Sequence, residues 1–400
     1  MGENKSIPYF NKYRAIVIFF LLSVILIMTI NFSACDSQEK IIKIGNQAVL
    51  SGGDKFYGDD QLISLKLAVS ELSPVRVGGF DYRIEVISKD DEGNAERAFL
   101  IAQEFVEERV AAVIGPTFNG TTKASVPVYA EFNIPVITPS AQGNDISRGM
   151  PNFYRMIINN SQKIENIADF IDQKLRPEKL VIIDNTEEYS VKLVDFLVEV
   201  FGNKKISYSK RYSVKYDSNE YNVLAENLLI DEPDTVFFCA PYNEVADLIS
   251  RVKKTGLKCR FITEEAGMDD RISGLTDKLD LEGLIAIIPE PPALAKYTED
   301  KSAIDFWRKY SDFAAKMKDT NIIKTGPGPF APYSYDAMYI LIGAIKKANS
   351  ILPEDYSSEL KATSYNGIVG KIEFNSNGDR VNPESTVFIM KNGDWVRFSK

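Results

Sequence analysis

Short apolar runs alternate along the chain with longer segments whose apolar residues recur at helical spacing. From Ile41 onward the runs IIKIGNQAV and YRIEVISKDD predict strands. A predicted helix follows each run, the first after Gly58 and the second after Asn94, which can cap its amino terminus. The apolar faces of these helices consist of Leu62, Leu65, Ala68, Val69 and Leu72, and of Ala98, Ile101, Ala102, Phe105 and Val106. Strands that alternate with amphipathic helices over this length predict a doubly wound α/β domain.

The stretch from Val110 to Gly143 contains two predicted strands, each ending in a small polar loop. Residues 111–114 and 135–138 are the strands, and residues 121–132 are the helix between them. Such a unit brings both carboxyl-terminal strand ends to one edge of a sheet, where open α/β sheets bind ligands. The hydroxyl, amide and backbone N–H groups of the two loops suit a small polar or anionic group. Ordinary polar turns are the alternative interpretation.

The same pattern restarts after a break near residues 155–160 and predicts a second lobe. LVIID is a strand, an amphipathic helix follows it, and TVFFCA, CRFIT and GLIAIIP are further strands. Beyond Pro289 the pattern predicts a helix over residues 304–317, a Gly-Pro-rich loop, a helix that ends near Lys347, and short strands with turns at residues 377–378 and 392–393. The predicted fold class is α/β, with two doubly wound, Rossmann-like lobes.

The amino-terminal segment indicates export from the cytoplasm. Lys5, Lys12 and Arg14 precede sixteen residues, AIVIFFLLSVILIMTI, that are almost entirely apolar. A basic start followed by a short apolar stretch is typical of an export signal. An uncleaved membrane helix is the alternative, since roughly 17 residues is the lower limit for spanning a bilayer.

The end of this segment, NFSAC, resembles the lipobox of bacterial lipoproteins. Ser33 and Ala34 are small residues before Cys35, and Phe32 stands where the lipobox usually has leucine. The resemblance implies that residues 1–34 are a signal peptide, that Cys35 becomes lipidated, and that residues 36–40 form a short tether. Several acyl chains are enough for stable anchoring to a membrane, so we expect an extracytoplasmic protein held at the cell envelope.

Composition limits the classes of partner. Loss of residues 1–34 removes three basic residues and one acidic residue, which changes the net charge from −9 to −11. An acidic chain argues against nucleic acid as a partner. The remaining 366 residues suffice for two domains of ordinary size, and an apolar content of 44% is normal for globular cores.

The chain contains no histidine, which excludes Ser-His-Asp and Cys-His catalysis and histidine-based zinc sites. It also has no Walker loop and no Gly-x-Gly-x-x-Gly after a strand. We therefore predict no enzyme activity, no cofactor and no metal. Adjacent acids that could serve proton or glycoside chemistry occur at residues 90–91, 187–188, 264–265 and 269–270. Neighbouring loop residues usually point into water, and only residues 264–265 lie at the ligand-facing edge of the second lobe.

Two further cysteines, Cys239 and Cys259, are predicted to be free thiols. Cys239 closes the strand TVFFCA and Cys259 opens the strand CRFIT, with one helix between them. In a parallel crossover they lie at opposite ends of neighbouring strands. That separation exceeds what a disulfide tolerates, although the compartment permits disulfides.

Ten phrases in order resemble the type I periplasmic binding proteins, specifically the branched-chain amino acid (leucine/isoleucine/valine-type) substrate-binding lipoproteins of ABC importers. The phrases, which span nearly the whole mature chain, are IKIGNQAVLSG with YGDD, SKDDEGNAERA, VAAVIGPTFNGTT, NIPVITPSA, RGMPNFYRM, DNTEEYS, VFFCAPYNEVADLI, GLKCRFITEE, YSYDAMYILIGAI and NGIVGKIEFNSNGD. The resemblance implies two lobes that are joined by three hinge strands and close over one small ligand. It places residues 41–159 and 286–365 in the first lobe, and residues 160–285 and the carboxyl-terminal strands 366–400 in the second.

Five first-lobe residues match ligand-binding positions of that family. Tyr57 matches an aromatic wall, Asn119 and Gly120 fall in the loop that binds the ligand α-carboxylate, and Ser140 and Gln142 fall in the loop that shares the carboxylate and ammonium groups. Two of them depart from the usual residue, because Asn119 stands where the family usually has serine and Gln142 where it usually has threonine. These larger amides leave the fold unaffected and bear on the identity of the ligand.

Three second-lobe residues complete the set that the resemblance implies. Tyr189 and Tyr242 match aromatic residues, and Glu265 matches the acid that pairs with the ligand ammonium. The tyrosines could instead be core residues and Glu265 an acid at the rim. Glu264 is expected to lie at the surface, so that its replacement changes little. The predicted function is capture of a small polar ligand, an amino acid or a related amphoteric molecule, for an ABC permease. The alternative is a ligand-sensing lobe pair that acts on a membrane partner.

Overall fold

Two large β-sheets, each covered by helices on both faces, and a separate two-stranded sheet make up this computed structural model. The structure describes residues 39–289, 300–317, 326–383 and 385–398. The predicted signal peptide, the lipidation site Cys35 and most of the tether lie outside the described residues. No helix among the described residues is long and apolar enough to cross a membrane.

The first sheet has six strands in the order β2-β3-β1-β4-β5-β6, all parallel except for the antiparallel pair β2 and β3. Its strands are β1 (Ile41–Ala48), β2 (Val75–Val77), β3 (Phe80–Asp90), β4 (Ala112–Ile114), β5 (Val136–Thr138) and β6 (Phe153–Arg155). The helices between them are α1 (Lys55–Leu72), α2 (Ala95–Glu107) and α3 (Asn119–Glu131). The parallel pairing of β4 with β5 around α3 confirms the predicted crossover unit.

The second half of the chain builds another sheet in the same way. Its first strands are β7 (Leu180–Asp184), β8 (Lys210–Ser213), β9 (Thr235–Cys239), β10 (Arg260–Thr263) and β11 (Ile285–Pro289). Its helices are α4 (Asn160–Phe170), α5 (Glu188–Lys204), α6 (Ser218–Asp231) and α7 (Tyr242–Thr255). Every residue of β7, β9 and β11 is buried, as expected for parallel strands that helices cover on both faces.

The carboxyl-terminal part contributes to both halves. It consists of α8 (Lys301–Lys316), α9 (Ala331–Ala348), α10 (Pro353–Lys361), β12 (Ser364–Gly367), β13 (Gly370–Glu373), β14 (Ser385–Lys391) and β15 (Asp394–Arg397). Helices α8 and α9 pack on α1, while β14 and β15 complete the second sheet in the order β15-β14-β11-β10-β9-β7-β8. The predicted turn at Asn392-Gly393 joins β14 to β15, and both of its residues have positive φ, as a two-residue hairpin turn requires.

Helices sandwich each sheet. In the first half, α1, α8 and α9 share one core with one face of the sheet, and α2 and α3 share another with the opposite face. In the second half, α6 and α7 cover one face, and α4 and α5 cover the other. This confirms the predicted α/β class with two doubly wound halves. The boundary predicted between residues 285 and 286 falls inside β11, which pairs with β10 and β14 of the second sheet.

The two cysteines of the second half are free, as predicted. Strands β9 and β10 are parallel neighbours in which Thr235 pairs with Arg260. Cys239, the last residue of β9, therefore lies about five residues, or roughly 17 Å, further along the sheet than Cys259. Burial raises the pKa of Cys259 to about 11, so its thiol stays protonated at neutral pH.

Candidate functional site

The side chains singled out in the sequence follow the carboxyl ends of six parallel strands. Tyr57 comes after β1, Asn119 and Gly120 after β4, Ser140 and Gln142 after β5, Tyr189 after β7, Tyr242 after β9, and Glu265 after β10. Since these strand ends meet at one edge of each sheet, the topology carries the residues toward a common region.

A cavity of about 920 Å³ collects five of these residues. Tyr57 and Gln142 come from the first half, and Tyr189, Tyr242 and Glu265 come from the second. The charged residues of the remaining wall are Asp269, Asp270 and Arg271. Most of the rest is apolar and includes Phe56, Ile157, Met268, Ile288, Phe330, Tyr333 and Trp395. We call this space the aromatic cavity. Its size and its few polar groups fit a binding site for a small organic molecule.

Aromatic side chains support one another around Tyr57. The ring centroid of Tyr57 lies 5.3 Å from that of Phe330 and 6.0 Å from that of Phe118. Burial raises the pKa of Tyr57, with Asp54 and Glu265 adding to the effect, so its hydroxyl remains a proton donor. Such contacts hold the ring in place as a wall rather than leaving it free in water.

The two loops of the first half are tied to each other by their own side chains. The Asn119 Oδ1 atom accepts hydrogen bonds from the backbone N–H groups of Gln142, at 2.7 Å, and Gly143, at 2.9 Å. Ser140 is buried, and its Oγ atom donates to the Thr117 carbonyl at 2.6 Å. Gly120 is exposed, with open space where a side chain would stand. Asn119 and Ser140 thus hold the loops, and only Gln142 reaches the aromatic cavity.

A buried lysine, to which no sequence motif pointed, lies at the second half of the site. The Lys163 side chain in α4 is 1% exposed, and its Nζ atom donates to the Tyr189 hydroxyl at 2.8 Å and to Glu265 Oε1 at 3.2 Å. Nζ also lies 3.5 Å from Glu264 Oε2. We call Lys163, Tyr189, Glu264 and Glu265 the Lys163 cluster.

The expectation that Glu264 lies at the surface is wrong. Glu264 is fully buried, because the chain turns immediately after β10 and folds this side chain beneath the turn Glu265–Gly267. One of its carboxylate oxygens accepts from the Ala266 N–H at 3.0 Å, and the other accepts from the Tyr189 hydroxyl at 2.9 Å. Glu265 is the member of the pair that faces the aromatic cavity, with its side chain 36% exposed.

Within the Lys163 cluster, the acidic side chains stabilise the positive charge of the buried lysine. Burial works against the charge of Lys163, but Glu265, Tyr189 and Glu264 outweigh it and raise the pKa of the lysine above its usual value. Burial and the nearby Glu264 raise the pKa of Tyr189, so its hydroxyl keeps the proton that it donates to Glu264. The cluster therefore contains a permanent ammonium group beside the acid that faces the cavity.

Asp91 is also buried, contrary to the expectation that the other adjacent acids face water. It follows β3 directly, and its Oδ1 atom accepts from the Gly93 N–H at 3.0 Å. Burial raises the pKa of Asp91 to about 6. Among the described residues, no group of three or more Cys, Asp or Glu side chains could hold a metal ion.

Arg155 anchors the second loop of the first half. Its guanidinium is fully buried, and its Nη atoms donate to the carbonyls of Ala141, at 2.7 Å, and Gly143, at 2.8 Å. The Nε atom donates to Asp379 Oδ1 at 2.9 Å. Because Gln142 lies between the two anchored carbonyls, Arg155 sets the position of the loop that reaches the aromatic cavity.

Asp60 anchors another wall of the aromatic cavity. Its carboxylate accepts from the Tyr310 hydroxyl and the Gly328 N–H, both at 2.8 Å, and from the Phe330 N–H at 3.2 Å. Burial raises the pKa of Asp60 to about 6, and these hydrogen bonds oppose the rise only in part. This buried acid thus fixes the loop that carries Phe330.

Replacing Asp60 with Asn should remove part of the pH dependence of stability. Because the pKa of Asp60 rises from 3.8 to about 6 on folding, its contribution is fully present below about pH 4 and is lost as pH rises to 6. The change amounts to roughly 3 kcal/mol in the free energy of unfolding. Urea unfolding from pH 4 to 7 measures it, with the exposed Asp312→Asn as the control. Equal pH slopes in the parent and Asp60→Asn would contradict the assignment.

The protein has two helix-covered sheets, and their strand ends border one aromatic, partly polar cavity. This arrangement is typical of a ligand-binding α/β protein. A family model described as periplasmic binding protein matches residues 41–394. The chain therefore belongs to the periplasmic binding protein family, which confirms the resemblance seen in the sequence.

Individual relatives are distant but similar over nearly their whole length. The Leu-, Ile-, Val-, Thr- and Ala-binding protein of Pseudomonas aeruginosa is 23% identical over 359 residues, which are 89% of this chain and 92% of the relative. The fold resembles that of the branched-chain amino acid transporter substrate-binding protein of Streptococcus pneumoniae, solved with isoleucine (TM-score 0.67, 20% identity, 89% and 98% of the two chains). A solute-binding protein of an ABC transporter from R. palustris, solved with benzoate, is similar to the same degree (TM-score 0.67, 19% identity, 90% and 96%).

Proposed function

We propose that this chain is the extracytoplasmic solute-binding component of an ABC importer and not an enzyme. It captures a small organic molecule in the aromatic cavity and delivers it to a permease. The observation that carries this proposal is the convergence of side chains from both halves on one cavity. Family membership and the names of the relatives support it.

The proposed ligand contacts are the five predicted residues that line the aromatic cavity: Tyr57, Gln142, Tyr189, Tyr242 and Glu265. Asn119 and Ser140 serve instead to hold the loops, and Gly120 leaves space beside them. The two lobes correspond to the two sheets with their helices, and the second extends through β11. The ligands named for the relatives include branched-chain amino acids and an aromatic acid, so family membership leaves the charge of the ligand open.

Ligand binding should close the lobes and raise the melting temperature. Tyr189 is 47% exposed and Tyr242 is half-buried, so closure has aromatic surface to remove from water. At 100 times the dissociation constant, binding should stabilise the fold by about 2.7 kcal/mol. A thermal-shift screen of amino acids, small amides and aromatic acids measures this. Small-angle scattering with each hit should then give a smaller radius of gyration.

Cavity variants separate specific binding from general stabilisation. Tyr242→Ala should weaken the thermal shift, whereas Tyr216→Ala, which removes an exposed ring that does not line the cavity, should not. If no compound shifts the melting temperature and the radius of gyration never changes, the chain does not bind solutes in this way.

We also propose that Cys35 becomes the lipidated amino terminus and anchors the protein at the cell envelope. The segment NFSAC after the apolar stretch supports this. Metabolic labelling with a fatty acid should mark the parent, whereas Cys35→Ser should lose the label and appear in the soluble fraction. Cys259→Ser is the matched control and should remain labelled. Membrane retention of a cleaved Cys35→Ser protein would show that another anchor is responsible.

A further inference from the structure

We propose that the ligand is an uncharged, ring-bearing molecule and not a free α-amino acid. The protein's own side chains occupy both polar ends of the place where the resemblance to amino-acid-binding proteins puts the zwitterion of an amino acid. Asn119 fills the carboxylate end and Lys163 fills the ammonium end. This inference rests on the proposed function, since it names the class of molecule that the aromatic cavity takes.

The carboxylate end is filled by an amide oxygen. A ligand carboxylate needs N–H donors, and the second loop offers the backbone N–H groups of Gln142 and Gly143. Both already point at Asn119 Oδ1, at 2.7 and 2.9 Å. The side chain of Asn119 thus makes the hydrogen bonds that a carboxylate oxygen of the ligand would make. A serine at this position, as the resemblance leads one to expect, is too short to take both donors.

The ammonium end is filled by a lysine. Lys163 Nζ lies 3.2 Å from Glu265, the one acid of the Lys163 cluster that faces the cavity. Glu264 is not available as an alternative partner, because it is fully buried and does not line the cavity. A ligand ammonium placed against Glu265 would meet a second positive charge within a few ångströms, and like charges at that distance disfavour each other.

Besides Glu265, the charged residues of the cavity wall are Asp269 and Arg271, which pair with each other at 2.7 Å, and Asp270. The polar groups that remain suit a neutral partner. No contact among the described residues occupies the side-chain amide of Gln142, which offers a donor and an acceptor side by side. Glu265 retains an oxygen that can accept from an N–H or O–H group. Tyr57, Phe330 and Tyr242 provide flat apolar walls. These features together fit a ring with a neutral hydrogen-bonding group such as an amide.

The first test is a charge series on one ring, measured by calorimetry with the full chain lacking its signal peptide. The probes are phenylalanine, phenylacetate, phenethylamine and phenylacetamide, which are a zwitterion, an anion, a cation and a neutral amide. We expect phenylacetamide to bind at least about tenfold more tightly than phenylalanine, a difference of about 1.4 kcal/mol. Tighter binding of phenylalanine, phenylacetate or phenethylamine than of phenylacetamide, or micromolar binding of leucine, would overturn the inference.

The second test removes the two side chains, Asn119 and Lys163, that occupy the carboxylate end and the ammonium end. Asn119→Ser combined with Lys163→Ala should raise the ratio of phenylalanine affinity to phenylacetamide affinity at least about tenfold. Asn119→Ser alone alters an exposed position and should strengthen phenylacetate binding, which covers the case in which the double variant does not fold. The control is Lys192→Ala, in a lysine that is 74% exposed. If these variants gain no affinity for phenylalanine or phenylacetate relative to phenylacetamide, the inference fails.

Failure of the proposed function would give a different result, because then no compound in the broad screen would stabilise or close the parent.

Discussion

Replacing Lys163 with Met is expected to lower the free energy of unfolding by about 3–5 kcal/mol. The substitution keeps much of the side-chain volume but removes the ammonium group that Glu264 and Glu265 share. Glu264 is fully buried, so its carboxylate would remain in the interior with only the Tyr189 hydroxyl and one N–H group to offset its desolvation. Urea unfolding at pH 7 measures the loss.

Two further variants show whether an unpaired buried charge causes the loss of stability in Lys163→Met. Lys192→Met removes an exposed lysine that pairs with Glu188 on the surface of α5, and it should cost less than about 1 kcal/mol. Adding Glu264→Gln to Lys163→Met should recover most of the lost stability, because no unpaired buried charge then remains. Lys163→Met with the unfolding midpoint of the parent would mean that Glu264 does not depend on the lysine.

The larger elements could be predicted from the sequence because the spacing of their apolar residues indicates which positions are buried. The strand LVIID is apolar up to its last residue, Asp184, and β7 has the predicted bounds Leu180–Asp184. Helix α2 follows Asn94, whose side chain accepts from the first N–H groups of the helix, as predicted. The predicted helix over residues 121–132 begins two residues earlier, at Asn119.

Three short strands, β2, β6 and β8, were not predicted. Each has only three or four residues, which is too short for an alternating pattern to stand out. Their strand conformation comes from pairing with β3, β5 and β7. Such pairing is tertiary and leaves little trace in local sequence.

The site shows the same division between local pattern and tertiary contact. Strand ends could be located, and with them Tyr57, Gln142 and Glu265 on the aromatic cavity. The ion pair between Lys163 and Glu265 joins residues about a hundred positions apart, so only the fold brings them together. One feature of the sequence could have identified Lys163 as a buried residue. It lies four residues before Ile167, on the buried face of α4. A lysine on an apolar helix face needs a buried partner, and this marks it as a candidate.

Arg155 should prove as important to the site as Lys163, although it does not line the aromatic cavity. Arg155→Leu removes the donors to the carbonyls of Ala141 and Gly143 and leaves Asp379 without its ion pair. We expect a loss of about 3–5 kcal/mol in the free energy of unfolding, the usual cost of breaking a buried pair. Ligand affinity should also fall at least about tenfold, because the loop that carries Gln142 loses its anchor.

A pair of controls distinguishes anchoring from loss of charge alone. Arg148→Leu removes an exposed arginine close in sequence to the same loop and should change stability by less than about 0.5 kcal/mol. Arg155→Lys keeps the charge but cannot reach two carbonyls and a carboxylate at once, so it should recover only part of the stability and affinity. Urea unfolding and calorimetry with the best compound of the ligand screen give both quantities. Full recovery in Arg155→Lys would show that charge, and not the planar set of donors, holds the loop in place.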